Sequence, residues 1–282
     1  MIIVSGATGN IGRELIKLLA ATRTSARAIA RDPSKLKDAG IPAQHADFAD
    51  PASLDRAFEG ADHLFLLASN SPDQVKLERN AIEAAKRARF QHIVKLSALG
   101  ASPSSPIQLG RWHGEVEAEL KASGIGWTIL QPQFFCQNML GNLAGIKADG
   151  AIYGSFGDGK LAFVDVRDIA AVTFATLMQP GYMGRTLVLT GGHAYTYAES
   201  AELIGKAIDK PVRYVDVPPD TMLANLTGAG LPEWYARDLL GLMAFVRSGG
   251  AGDVTPTVQE ITRKPARTMQ DFVRDHAAVF KG

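Results

Sequence analysis

Residues 1–19 read MIIVSGATGNIGRELIKLL, and the fold turns on this stretch. Ile2 to Ser5 has the composition of a strand. Gly6, Gly9 and Gly12 follow in a GxxGxxG spacing, and Ile11, Leu15, Leu18 and Leu19 then recur at helical period. In such a strand–loop–helix unit Gly6 permits a tight turn, Gly9 lets backbone approach a pyrophosphate, and Gly12 lets the helix pack closely on the strand. The helix start adds free N–H groups and a dipole that favours phosphate. The unit is read as a dinucleotide site; the competing reading is a tight structural turn that holds no ligand.

Outward from this unit, apolar runs at Arg27–Ala30, His63–Ala68, His92–Ser97, Gly126–Gln131 and Thr186–Thr190 read as strands. Helical patterns lie between them at about residues 11–21, 51–59, 73–89, 111–123 and 166–178. That alternation predicts an α/β fold, a Rossmann-type doubly wound parallel sheet with a smaller C-terminal substrate lobe. Asp32-Pro33 and Asp50-Pro51 each place a capping carboxylate before a proline at the first helical position. Residues 98–110, ALGASPSSPIQLG, read as a loop at the carboxyl edge of the sheet, where open α/β sheets bind ligands. After residue 192 the alternation gives way to a helix (Tyr197–Asp209), a short strand (Val212–Val217) and one long helical region from Asp220 to about Arg247. The expected division is 1–192 for the dinucleotide-binding domain and 193–282 for the smaller lobe, with contributions from 133–160.

The end of the second strand selects the dinucleotide. An NAD site places Asp or Glu there to hold the ribose hydroxyls. This chain has Ala30-Arg31-Asp32-Pro33-Ser34-Lys35. Arg31 follows the strand directly and Lys35 lies one helical turn on, so NADP(H) is expected and NAD(H) is the weaker alternative. Asp32 competes as a ribose ligand, but its place before Pro33 suits a helix cap; Arg31 competes with a plain surface arginine.

Composition excludes other classes. Apolar residues make up 46% and charged residues 21%, an ordinary globular balance, and the net charge is +1 with no basic tract, so no nucleic-acid partner is expected. Cys136 is the single cysteine and fits a reducing compartment. No signal-peptide pattern and no apolar run of about 20 residues is present, so a cytoplasmic protein without a membrane partner is expected. His45, His63, His92, His193 and His276 lack paired-ligand spacing, so no metal is expected. Ser97, after a strand, reads either as facing the cofactor or as a buried hydroxyl bonded to backbone.

With GATGNIG, ARDPSKL, HADFADPASLDRAFEG and ELKASGIGWTILQPQFFCQNM, the sequence resembles the NmrA-like, atypical short-chain dehydrogenase/reductase family, over nearly its whole length. Within it, the chain is most similar to the bacterial branch that reduces quinones and triphenylmethane dyes with NAD(P)H. The resemblance implies that Gly6, Thr8, Asn10 and Ile11 line the pyrophosphate and that Arg31 faces the 2′-phosphate. It places Asp47 beside the adenine, against the alternative of a turn carboxylate. Ala68 and Ser69 would run along the cofactor's middle, and Gln131, Pro132 and Phe134 would edge the nicotinamide pocket.

One departure from ordinary short-chain dehydrogenases bears on mechanism. Those enzymes use Tyr-x-x-x-Lys, yet four residues after the six tyrosines stand Gly157, Thr186, Glu199, Ala201, Pro218 and Leu239. The resemblance instead puts His113 where benzylic ether reductases carry a catalytic lysine. Near a helix start the dipole disfavours its cation, while Glu115 and Glu117 pull the other way. A neutral imidazole there can hydrogen-bond a quinone or carbonyl oxygen; the bland alternative is local packing. The expected function is NADPH-preferring hydride transfer to a quinone, dye or similar small aromatic acceptor, with a homodimer as a compatible assembly. The alternative is a non-catalytic NADP(H)-binding redox sensor acting through a protein partner.

Overall fold

The computed structural model describes residues 1–281. From the N-terminus, β1 (Ile2–Val4), α1 (Asn10–Ala21), β2 (Ala26–Ala30), β3 (Ala43–His45), α2 (Pro51–Phe58), β4 (His63–Leu66), α3 (Gln74–Arg87), β5 (His92–Leu96), α4 (Gln108–Ala122) and β6 (Gly126–Pro132) alternate as expected. There follow α5 (Leu143–Asp149), β7 (Ala151–Gly154), α6 (Val166–Met178), β8 (Arg185–Leu189), α7 (Tyr197–Ile208), β9 (Arg213–Asp216), α8 (Pro219–Gly228), α9 (Glu233–Arg247) and three short C-terminal helices.

The chain forms two compact units. The first comprises Met1–Ser105, Leu109–Pro132 and Val166–Val188; the second comprises Pro106–Gln108, Gln133–Asp165 and the chain from Leu189 onward. A seven-stranded sheet of order β3-β2-β1-β4-β5-β6-β8 organises the first. All five pairings from β3 across to β6 are parallel. The order reverses between β1 and β4, which is the topological switch point at which open α/β sheets hold ligands. The core fills with residues that alternate out of the strands and off one face of each helix: Ile3, Leu64, Leu66, Ile93 and Ile129 meet Leu54, Phe58, Ile82, Val116 and Leu120. Phe58 and Phe90 rings lie 5.0 Å apart within it.

The second unit holds the parallel pair β7–β9. Its own core centres on Phe156, Phe163, Tyr197, Ile204 and Phe272, with Phe156 and Tyr197 rings stacked at 3.9 Å. Cys136 is buried in that core. Among the described residues no helix is long and apolar enough to cross a membrane.

Three local expectations are corrected. The helix expected from 111 begins at Gln108, inside the stretch read as loop. The single helix expected over 220–247 is two, because Gly230 takes φ +89° and Pro232 follows it. β3 and β7 escaped notice, since both are short and β3 lies at the sheet edge with an exposed–intermediate–exposed pattern instead of an apolar run.

Candidate active site

Register carries the expected cofactor residues of the first unit to one edge. Val4 pairs with Ala28 of β2 and Phe65 of β4, and Leu66 of β4 pairs with Lys95 of β5. The parallel strands therefore release their following loops side by side. Gly6 to Gly12 follow β1, Arg31 follows β2, Asp47 follows β3, Ala68 and Ser69 follow β4, Ser97 follows β5, and Gln131 and Pro132 end β6. Phe134 lies in the second unit, half-buried against its core.

The glycine loop has the form its spacing predicts. Gly6 takes φ +60°, and a Cβ there would meet the Leu67 side chain at 2.8 Å. A Cβ on Gly12 would lie 2.8 Å from Ala7 Cα and closer still to the Gly6 carbonyl. Gly9 N–H donates to Gly6 O at 2.9 Å and closes the turn. Gly9 is also the N-cap of α1, with no side-chain cap, so side chains do not cover the first-turn N–H groups. Arg13 Nε donates to Thr8 O at 2.9 Å and pins the loop from the helix side. Ile11 is buried, whereas Thr8 and Asn10 are exposed at the mouth.

The acidic rival at the end of β2 is already occupied. Asp32 accepts from Ser34 Oγ at 2.6 Å and from Ser34 N–H at 3.1 Å, capping the short turn Pro33–Leu36. Those bonds, the Ser34 hydroxyl first, hold its carboxyl below the usual aspartate range. Arg31 and Lys35 beside it are exposed. Asp47 Oδ1 accepts from Ala49 N–H at 2.9 Å, as a turn carboxylate does.

His113 sits elsewhere than sequence reasoning put it. With α4 starting at Gln108 it lies in the second turn, away from the free N–H groups of the first. Its charged form is disfavoured by burial first and by the Lys95 charge second, which together hold its pKa well below the ordinary histidine value. Glu115 is exposed, and Glu117 is engaged elsewhere: Oε1 accepts from Ser97 Oγ at 2.6 Å and from Gln131 Nε2 at 2.8 Å. Ser97 is thus a buried hydroxyl bonded to a carboxylate rather than to backbone.

Sequence reasoning missed the rest of this cluster. Lys95 Nζ lies 2.9 Å from Glu78 Oε1, 2.5 Å from Leu96 O and 3.2 Å from His113 Nδ1. Glu78 Oε1 also accepts from Ala68 N–H at 3.3 Å, which ties the pair to the loop after β4. Gln74 Nε2 stands 3.2 Å from His113 Nδ1 and 3.5 Å from Nε2. Ser71 Oγ, Gln74 Oε1 and Glu78 Oε2 are buried without a hydrogen-bond partner. Two signals were present in the sequence: a lone lysine in the apolar run HIVKL, and Gln74 and Glu78 at i and i+4 in line with buried Ala81, Ile82 and Ala85.

Comparison with known proteins places these features in company. The profile of the NmrA-like family matches residues 1–272. The chain is 37% identical to an NAD(P)H azoreductase of Xenophilus azovorans, covering 99% of each. It is 32% identical to quinone oxidoreductase 2 of Escherichia coli K12, covering 97% of each. The crystal structure of the Escherichia coli NADPH-dependent quinone oxidoreductase in complex with NADPH superposes with a TM-score of 0.89 at 31% identity, covering 98% of this chain and 99% of that one.

Proposed function

This chain belongs to the NmrA-like family, and from that premise we propose that it is an NAD(P)H-dependent oxidoreductase, NADPH-preferring, that passes hydride to a quinone, a dye or a similar electron-poor aromatic acceptor. The observation that carries the reading is the glycine loop at the sheet's switch point. Side chains would fill the space at Gly6 and Gly12, and the helix N-terminus behind it is uncapped. Those residues fit a pyrophosphate.

When bound, the dinucleotide supplies the hydride; the protein supplies binding, orientation and electrostatics. Gly6, Thr8, Gly9, Asn10, Ile11 and Gly12 would hold the pyrophosphate. Arg31 and Lys35 would hold the 2′-phosphate, while Asp32 is engaged as the cap of its own turn through Ser34. Asp47 backs the adenine from its turn. Ala68, Ser69 and Ser97 would lie along the cofactor's middle, and Gln131 and Pro132 would border the nicotinamide. The Glu117 carboxylate fixes Ser97 and Gln131 to each other's neighbourhood, so that this part of the edge is rigid before ligand arrives. His113, held neutral, donates a hydrogen bond to the acceptor oxygen as negative charge develops there. The acceptor is a small molecule; a net charge of +1 without a basic tract favours neither nucleic acid nor an anionic membrane surface, and the reaction belongs to the cytoplasm.

Steady-state oxidation of NADPH and NADH, followed by absorbance against quinones, azo dyes and triphenylmethane dyes, tests the reading. Turnover that prefers NADPH is expected. Protein that binds NADPH and turns over none of these acceptors would overturn it and leave a dinucleotide sensor.

A further inference from the structure

Lys95 and Glu78 are fully buried, and nothing in hydride transfer by itself calls for an ion pair there. Buried charge is costly unless every donor and acceptor is used, so the disposition of the three ammonium protons is informative. An ammonium has three N–H donors and no lone pair. Three acceptors surround Lys95 Nζ: Glu78 Oε1, the Leu96 carbonyl and His113 Nδ1. With the first two taken, the third N–H points at Nδ1, and Nδ1 must then present its lone pair. A neutral imidazole carries one proton, so that proton sits on Nε2.

A second observation agrees. Gln74 faces the same ring, with its amide nitrogen 3.2 Å from Nδ1 and 3.5 Å from Nε2, while its Oε1 is buried without a partner. As placed, the amide N–H is nearer Nδ1 than Nε2, and a second donor at Nδ1 again calls for a bare Nδ1 and a proton on Nε2.

We propose that Lys95 is a positioning residue: its third N–H, aimed at Nδ1, fixes His113 as the Nε2–H tautomer, so that His113 offers a donor and no acceptor at Nε2. Glu78 holds the ammonium in place from α3. The groups around His113 are consistent with this role: Lys95 from β5, Gln74 and Glu78 from α3, and on α4 itself Glu117, whose carboxylate is bound to Ser97, Gln131 and Lys121. The inference deepens the proposed function and rests on it only for the use made of the donor.

Long-range proton–nitrogen NMR of histidine-labelled protein tests it without reference to turnover, with His113 identified by the signal lost in His113→Gln. The expected wild-type spectrum shows Nε2 protonated, Nδ1 bare, and a midpoint well below the ordinary histidine value. The double variant Glu78→Gln/Lys95→Met removes the donor without leaving a lone buried charge. In it the His113 ring is expected to lose its single tautomer, with Nδ1–H and Nε2–H forms both present while burial keeps its midpoint low, and kcat is expected to fall with the KM for NADPH within about twofold. A wild-type Nδ1–H tautomer, wild-type titration near 6.5, or an unchanged His113 in the double variant would each overturn the proposal. If the double variant fails to fold, the wild-type spectrum decides alone. Full turnover by His113→Ala, with the tautomer as proposed, would instead refute the catalytic use of His113 and leave the Lys95 assignment standing.

Discussion

Lys95 Nζ lies 2.9 Å from Glu78 Oε1, with neither side chain exposed to solvent, so each is a buried counter-charge to the other. Removing one partner strands the other. Lys95→Met or Glu78→Gln alone is expected to destabilise the fold by about 3–5 kcal/mol, and the double variant by less than either single one. Urea denaturation of the four proteins measures this. Additive losses would mean that the pair is not coupled.

Arg31 is predicted to set the preference between the two dinucleotides. A charge-assisted hydrogen bond contributes about 1.5–3 kcal/mol, so Arg31→Ala should weaken NADPH binding roughly ten- to a hundredfold and leave NADH nearly unchanged. Parallel fluorescence titrations with both cofactors check it. Equal loss for both would assign the 2′-phosphate to another residue.

Gly12 and Gly9 should respond unequally. A methyl on Gly12 would press into Ala7 and the Gly6 carbonyl, all backbone, whereas one on Gly9 would stand 3.3 Å from Gly6 O. Gly12→Ala is expected to abolish NADPH binding and lower Tm, while Gly9→Ala folds with weaker binding. Thermal melts with and without NADPH separate the two.

The strand–loop–helix at the N-terminus, the Asp32 and Asp50 caps and the parallel sheet were legible because each is written in local sequence: a period, a spacing, a residue before proline. β3 was not, because Ala43-Gln44-His45 at the sheet edge buries too little to leave an apolar pattern. The Glu78–Lys95–His113 cluster was half legible. A lysine inside HIVKL and a glutamate on the apolar face of α3 are visible anomalies, but which answers which depends on how α3 and α4 pack on β5. The dipole argument for His113 failed for a related reason: α4 starts three residues earlier than its periodicity indicated, so burial and Lys95 do what the helix start was expected to do.

His92 makes stability pH-dependent. Burial, with His63 nearby, brings its pKa down to about 4, against about 6.5 in the unfolded chain. Between those values the unfolded state binds the proton and the folded state does not. This contribution, up to roughly 3 kcal/mol, is therefore fully present above about pH 6.5 and lost as the pH falls toward 4. Thr128 Oγ1 lies 2.9 Å from His92 Nε2 and is placed to donate to Tyr182 O, so His92→Gln keeps a donor toward Thr128. Urea midpoints between pH 7 and 4 should fall less steeply in His92→Gln than in the wild type. Identical slopes would place the acid sensitivity elsewhere.

The proposed reaction moves hydride from NADPH to an aromatic acceptor. Rapid-mixing single turnover of protein-bound NADPH with a quinone, repeated with NADPH deuterated at C4 of the nicotinamide, tests it most directly. One equivalent each of NADP+ and hydroquinone is expected, formed with a primary isotope effect. Bound NADPH that persists unchanged in the presence of the quinone would contradict it.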